Sequence, residues 1–299
     1  MNKKYLVILA GSPRGGEKTW HSLYRYVTHP LNADLAICCG NDISKSSSLY
    51  QNAKYKWLFK EYEDWIDYYK ENKLFNAIDY LKKGIKTGLF NSGSVHYAIK
   101  DIILKNHIDT IKKYDYIIYS RFDQFYIDYH PELNQEDIFI PEGQDYFGIC
   151  DRHAAFPAKY ADKILDICDF INSKESIQNI PDYLNCETSY LDHLQYIDLH
   201  RKVKRMKRFQ FTTAIEGDNT RWRIAIYRLW FSNKIKLKYP DEFFVSFQNR
   251  TVKHNFLINF YNHPILYLNY LFLRFRVYFS KYLPDKLKKF TTERILKEK

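Results

Sequence analysis

Cysteine is scarce in this sequence, and its spacing matches neither a metal site nor a disulfide framework. The chain has five cysteines in 299 residues, an odd number that includes the adjacent pair Cys38 and Cys39 but no Cys-x-x-Cys. A zinc site needs clustered Cys and His ligands, and a disulfide scaffold needs a dense, paired set. Both classes are therefore disfavoured, and we expect reduced cysteines that pack as small apolar side chains.

Long apolar runs are also missing. The run at residues 6–9 is too short for a secretory signal, and no small-residue cleavage site follows it. The run before Arg274 spans roughly ten residues, whereas a membrane-spanning helix needs about 20. We therefore expect a cytoplasmic protein without a spanning helix, which at most lies peripherally on the inner face of a membrane.

Negative charge is scarce near the end of the sequence. Residues 250–299 contain eleven Lys and Arg but only three Asp and Glu, which accounts for most of the chain's net charge of +11. Basic residues are interleaved with aromatic ones at 264–290, a pattern typical of a helix that lies on an anionic membrane. The alternative is a core helix followed by a solvated tail. Nucleic acid is not the expected partner, because no helix-turn-helix, zinc-knuckle or RNP-type pattern accompanies the charge.

The chain as a whole is 45% apolar, which is enough to form a large core. Apolar runs and helical spacing alternate along it, which predicts an α/β domain at residues 1–255 with a helical basic extension at 256–299. We expect strands at 5–10, 33–40 and 114–127, and helices at 19–31, within 50–87 and at 95–113. In such folds ligands bind outside the carboxyl ends of the strands.

A glycine-rich turn follows the first predicted strand, in the segment "LVILAGSPRGGEKTW". Gly11, Gly16, Lys18 and Thr19 nearly satisfy the P-loop pattern, but Glu17 is inserted before the lysine and adds a negative charge. The turn also resembles the phosphate loop of flavodoxin-like NAD(P)H-dependent FMN reductases. That resemblance covers about ten residues, and the later Pro-x-Tyr of those enzymes has no counterpart here.

A third resemblance covers more of the chain, roughly residues 5–200. The segments "GSPRGGEKTWHSLYRYVTHPLNADLAI", "YDYIIYSRFDQFY", "FGICDRHAAFPAKYADKI" and "CETSYLDHL" occur in the order seen in GT-A-like glycosyltransferases of surface polysaccharide and lipopolysaccharide assembly, related to the WavE-type proteins. The resemblance implies a Rossmann-related mixed sheet flanked by helices. It also implies transfer of a sugar from a nucleotide-sugar donor to a glycan or glycolipid acceptor.

The resemblance further implies roles for individual residues. Contacts to the nucleotide sugar would come from Gly11, Ser12, Arg14, Lys18, Arg121, Asp123 and Arg152. Asp123 would hold Mn²⁺ or Mg²⁺ together with His254, although one carboxylate in Arg-x-Asp binds a divalent metal more weakly than the Asp-x-Asp of many GT-A enzymes. The alternatives are a turn residue at Asp123 and a structural histidine at 254.

Two further acidic residues are candidates for catalysis. Asp151 would bind sugar hydroxyls, or would form only a local ion pair with Arg152. Glu187 would remove the proton of the acceptor hydroxyl, or would only favour the first turn of a helix capped by Asn185. A non-enzymatic adaptor that binds a membrane or nucleic acid through the basic tail is the remaining alternative.

Overall fold

The computed structural model of the chain describes residues 3–133, 136–218, 227–229, 235–250 and 264–282. Its strands are β1 (Tyr5–Ala10), β2 (Asp34–Gly40), β3 (Tyr55–Phe59), β4 (Tyr116–Arg121), β5 (Gln124–Tyr126), β6 (Ile138–Pro141), β7 (His153–Pro157), β8 (Val203–Met206), β9 (Gln210–Ala214), β10 (Tyr227–Leu229) and β11 (Ile235–Leu237). Its α-helices are α1 (Gly16–Leu23), α2 (His29–Leu31), α3 (Ser48–Asn52), α4 (Ile66–Glu71), α5 (Phe75–Lys83), α6 (Leu89–Ile111), α7 (Ala161–Leu165), α8 (Ile167–Asn172), α9 (Lys174–Gln178), α10 (Cys186–Tyr196), α11 (Pro240–Asn249) and α12 (Pro264–Tyr282). A π-helical turn, Tyr24–Thr28, joins α1 to α2.

Seven strands form one mixed sheet in the order β3-β2-β1-β4-β7-β6-β8. The first four are parallel, β7 runs antiparallel to both of its neighbours, and β8 is parallel to β6. The chain builds outward from β1 to β3 and then returns to place β4 on the other side of β1. In the β1–β4 register Ala10 lies opposite Arg121, so the loops that follow these two strands start side by side.

Helices cover both faces of this sheet, because the side chains of each central strand point alternately to either side. From β1, Leu6 and Ile8 enter a core that includes residues of α6, whereas Val7 and Leu9 enter a core that includes residues of α1. All six residues of β1 are buried. The predicted class, an α/β fold with a mixed sheet flanked by helices, is thus confirmed.

A second, four-stranded antiparallel sheet has the order β10-β11-β9-β5. Only Phe122 and Asp123 separate the end of β4 from β5, so the chain passes from one sheet to the other at this corner. The core beside this sheet is formed by residues of its strands and of α11 and α12, with Phe211, Phe243 and Leu273 fully buried. The described part of the predicted extension therefore packs against the region predicted as the catalytic domain.

The other face of α12 is exposed and apolar. Phe275 and Tyr278 are more than half exposed, and Arg274 and Arg276 lie on the same helix. Within the described residues no helix is long and apolar enough to cross a bilayer. Contact with an anionic membrane stays a prediction.

Two sequence predictions differ from the structure. Residues 50–87 were expected to be helical, but Tyr55–Phe59 form β3, in which Trp57 and Phe59 are buried and Lys56 and Leu58 are exposed. This alternation of period two is the pattern of an edge strand. Residues 114–127 were expected to form one strand, but they form β4 and β5 in two different sheets.

Candidate functional site

A cleft lies at the carboxyl ends of β1 and β4, where the chain order of the sheet reverses. In open α/β sheets this switch point leaves a crevice between the loops that diverge from the two strands. The cleft has a first chamber of about 390 Å³ and a second of about 260 Å³. Both chambers are lined by Ser92, His96, Arg121 and Lys238, so the two share a wall.

The first chamber brings together five of the residues selected from the sequence. Its lining includes Gly11, Ser12 and Arg14 from the glycine turn, defined as residues 11–16, and Arg121 and Asp123 from the end of β4. Gly11 has a φ of 111°, in the left-handed region that favours glycine. The expected convergence of the two loops is therefore observed, while the roles of the residues stay predictions.

The glycine turn is not an open phosphate cradle. The N–H of Gly15 donates to the carboxylate of Asp218 at 3.0 Å, and the same oxygen accepts from the N–H of Ile215 at 2.9 Å. Glu17 lies in the first turn of α1, and its carboxylate accepts from the N–H of Ser48. The turn thus carries negative charge where a P-loop offers free N–H groups to an anion.

Lys18 does not join the other predicted nucleotide contacts. It is exposed on α1 and lines a separate, mainly apolar groove together with Phe125 and Leu266. The reason is the insertion of Glu17, because successive residues of a helix point about 100° apart. Lys18 therefore lines neither chamber, and the geometry gives no support to its predicted contact with the nucleotide sugar.

Arg121 and Asp123 form a bidentate pair at the junction of the two sheets. Arg121 donates from Nε to Oδ1 of Asp123 at 3.0 Å and from Nη2 to Oδ2 at 2.6 Å. Burial alone would raise the pKa of Asp123, but Arg121, with Lys238 and Arg14 farther off, holds that pKa below its ordinary value. Asp123 is therefore ionised at neutral pH. Its carboxylate holds Arg121 in the wall between the two chambers.

The predicted metal site does not fit the described residues. Both carboxylate oxygens of Asp123 accept from Arg121, and a search of the described part of the chain finds no cluster of three or more His, Cys, Asp or Glu able to hold a metal. The second predicted ligand, His254, lies outside the described residues. Binding of Mn²⁺ or Mg²⁺ stays a prediction.

The second chamber contains Asp151, Arg152 and Glu187, the remaining residues selected from the sequence. Arg152 is buried, and its Nη1 donates to Glu242 and, at 3.3 Å, to the hydroxyl of Thr212. Its Nη2 is buried, has no hydrogen-bond partner among the described residues and lies 3.8 Å from Oε1 of Glu187. A donor of this kind is costly to leave unsatisfied and is available to an oxygen atom of a ligand.

Glu187 is positioned by the start of α10. Asn185 caps this helix as predicted, in a capping box with Thr188, and Glu187 falls in the first turn. The backbone of Gly148 packs so closely that a Cβ there would overlap the backbone of Glu187. Burial, followed by the charge of Asp151, raises the pKa of Glu187 to about 7, although Arg152 opposes the shift. A carboxyl group with this pKa can accept a proton at neutral pH.

Comparison with known proteins gives no family for this chain. No protein-family model matches it, and no curated protein matches it. The resemblance to polysaccharide glycosyltransferases therefore stays a prediction, and a functional proposal depends on the geometry of the cleft.

Several residues of the cleft were not selected from the sequence. His96 lies on α6 in the shared wall, and burial, with the nearby charge of Arg121, lowers its pKa to about 4. Lys238 lies just beyond β11, and Tyr239 follows it, with its ring centroid 5.5 Å from Cζ of Arg152. None of these residues belongs to a motif. The one local sequence signal near them is the pair Tyr239-Pro240, which predicts an extended residue followed by the start of a helix, but not a position in the cleft.

Proposed function

We propose that this chain is a glycosyltransferase with a GT-A-like fold, which transfers a sugar from a nucleotide-sugar donor to a hydroxyl of a cell-surface or lipid-linked glycan. One observation carries the proposal: a chamber at the ends of β1 and β4, lined by three cationic and two acidic side chains, shares a wall with a chamber that holds Glu187, whose pKa is about 7. A glycosyl transfer needs this arrangement, because a departing diphosphate and an attacking hydroxyl must flank one anomeric carbon.

The strand order supports the fold assignment. A mixed sheet with parallel central strands and helices on both faces agrees with the Rossmann-related sheet that the GT-A-like resemblance implies. Under the proposal, the Arg121-Phe122-Asp123 corner between the two sheets contacts the donor.

The first chamber would hold the diphosphate of the donor. Arg14, Arg121 and Lys238 line it together with two carboxyl groups, Asp123 and Glu61, and Arg121 is paired with Asp123. The pair uses Nε and Nη2 of Arg121, and Nη1 makes no hydrogen bond with a described residue, so it can donate to a phosphate oxygen. Fixed cations at the leaving group stabilise the charge that develops as the glycosidic bond breaks.

The second chamber would hold the acceptor. The acceptor oxygen forms a bond to the anomeric carbon, the bond from that carbon to the diphosphate oxygen breaks, and the hydroxyl proton passes to Glu187. With a pKa of about 7, Glu187 is partly ionised at neutral pH and close to the optimum for a general base. Asp151 would bind sugar hydroxyls beside it.

The two alternative functions have less support. An FMN reductase would offer its glycine turn to the flavin phosphate, but here the N–H of Gly15 is bonded to Asp218. A flavoprotein would also be yellow when purified. An adaptor that uses only its basic tail would leave the chambered cleft without a role, and it would bind anionic vesicles or RNA but not a nucleotide.

Thermal stabilisation by nucleotides tests the proposal. A nucleoside diphosphate at about 100 times its Kd stabilises a protein by about 2.7 kcal/mol, which corresponds to roughly 5–10 °C for a chain of this size. We expect UDP, GDP or CMP, or one of their sugars, to raise the Tm of the wild type. Arg14→Ala should abolish this rise.

The matched control is Lys18→Ala, which removes a cation from the adjacent helix but outside the cleft. This variant should keep the full nucleotide-induced rise. The proposal fails if no nucleotide or nucleotide sugar stabilises the wild type, or if the two variants lose the effect equally.

A further inference from the structure

The loop at the mouth of the second chamber has a strained backbone. In this rim loop, defined as residues 143–148, Tyr146 has a φ of 42° and Phe147 a φ of 71°. Bulky residues rarely adopt the left-handed region, because their Cβ then crowds the backbone carbonyl. Two aromatic residues in succession in this conformation are a costly feature.

Hydrogen bonds from both sides hold the rim loop in this conformation. Arg205 donates from Nη2 to both carboxylate oxygens of Asp145, at 2.9 and 3.1 Å, and the N–H of Cys150 donates to one of them at 3.0 Å. Asn185, the cap of α10, donates from Nδ2 to the carbonyl of Tyr146 at 3.0 Å. The strain is thus imposed by the surrounding structure, as occurs at binding sites.

Burial of the side chains does not offset the backbone strain at Tyr146 and Phe147. Phe147 is 85% exposed, more than any other large apolar side chain in the described part of the chain. Its ring packs edge-on against Tyr183, with centroids 5.2 Å apart and an interplanar angle of 68°, and Tyr183 is itself 47% exposed. Tyr183 lines the second chamber, and so does Tyr146, the residue before Phe147, so the pair of Phe147 and Tyr183 lies at the mouth of this chamber.

We propose that Phe147 and Tyr183 form a platform on which a sugar ring of the acceptor glycan packs, an inference that rests on the glycosyltransferase function proposed above. A pyranose ring has an apolar face of C–H groups and an edge of hydroxyls. The aromatic rings suit the face, while Asp151, Glu187 and the unsatisfied Nη2 of Arg152 suit the hydroxyls.

The charges around the platform favour a neutral ring over an anionic ligand. Neither sign dominates in the chamber beneath it: Asp151 and Glu187 line it together with Lys238, and the charges of its two arginines, Arg152 and Arg121, are balanced by Glu242 and Asp123. Under the proposed function the anionic diphosphate of the donor lies in the first chamber. The platform is therefore assigned to the second substrate.

The experiment is saturation-transfer NMR with a panel of methyl glycosides and β-1,4-linked disaccharides of the common hexoses and N-acetylhexosamines. We expect at least one member to bind the wild type, and Phe147→Ala and Tyr183→Ala each to weaken that binding about tenfold, which is about 1.4 kcal/mol. Phe147→Tyr should bind as the wild type does. Phe75→Ala is the matched control, because Phe75 is also an exposed phenylalanine, at 60%, but belongs to α5 and not to the rim loop.

The result overturns the inference if no saccharide of the panel binds the wild type, or if Phe147→Ala binds as tightly as Phe75→Ala. The nucleotide-induced Tm rise, measured on the same variants, separates this inference from the proposed function. An unchanged rise in Phe147→Ala together with lost saccharide binding supports the platform. Saccharide binding through Phe147 in a protein that no nucleotide stabilises would retain the platform and refute glycosyl transfer.

Discussion

Replacing Arg121 with methionine would leave the carboxylate of Asp123 buried without its partner. Asp123 is 2% exposed, and both of its oxygens accept from Arg121. Methionine keeps an unbranched apolar chain but removes the guanidinium. The substitution therefore isolates the charge pair from the packing around it.

The expected loss of stability is large. Removing one member of a buried ion pair costs about 3–5 kcal/mol, because the other charge stays desolvated. At about 2–4 °C per kcal/mol for a chain of this size, the Tm should fall by roughly 6–20 °C at neutral pH. Lys238 and Arg14 also lower the pKa of Asp123, so we expect the lower half of this range.

The loss should also depend on pH. In the wild type the pKa of Asp123 is held below its unfolded value of about 3.9, so the pair stabilises the fold above that pH and ceases to do so as the pH falls through the folded pKa. In Arg121→Met the buried carboxyl is free to protonate at a higher pH. The difference in Tm between the two proteins should therefore be greatest at neutral pH and shrink below about pH 4.

Thermal melts of both proteins across this pH range are the assay. Lys70→Met is the matched control, because Lys70 and Asp67 form an exposed pair at 2.7 Å whose loss should cost at most about 1 kcal/mol. The reasoning would be refuted if Arg121→Met had the same Tm as Lys70→Met at neutral pH. So would a difference in Tm that stays constant on acidification.

Three further predictions follow from the site and its supports. Glu187→Gln should abolish turnover while nucleotide binding survives. In a pH–rate profile the wild-type activity should rise through about pH 7 as the Glu187 carboxyl ionises, and Asp151→Asn should shift this rise to lower pH. Gly148→Ala should cost about 1–3 kcal/mol and misplace the base, seen as a lower Tm together with a lower kcat. Burial lowers the pKa of His130 to about 4 and also lowers that of His153, so the unfolded chain binds more protons than the folded one below pH 6.5. The urea midpoint of unfolding should therefore fall as the pH drops from about 6.5 to 4, and a midpoint that rises over this range would contradict the burial of these histidines.

Much of the sheet could be predicted from the sequence, because buried parallel strands are continuous apolar runs. The runs that form β1 and β2 were recognised in this way. The edge strand β3 was not, since its five residues alternate in burial and Trp57 also fits a helical spacing with residues farther along the chain. The change of sheet at Phe122 was missed because only two residues separate β4 from β5, and the two strands belong to different sheets only by virtue of the strands with which they pair.

The candidate site divides in the same way. The meeting of Gly11 and Arg121 could be foreseen, because the ends of adjacent parallel strands share one edge of a sheet. The left-handed backbone of Phe147 could not, since no local pattern imposes it and its supports come from α10 and β8. The partnership of Arg152 with Glu242, far apart in sequence, was equally invisible before the second sheet was known.

Glu242 has a consequence for how the molecule opens. It lies on α11 beside the second sheet, yet its carboxylate accepts from Arg152 of the larger sheet's loop, lies 3.7 Å from Arg208 and accepts from the N–H of Thr212. If the second sheet detached alone, two guanidinium groups would lose the carboxylate that balances them. Detachment of the second sheet would therefore cost the free energy of leaving buried guanidinium groups without a counter-charge, and we expect both sheets to exchange their most protected amides as one cooperative unit.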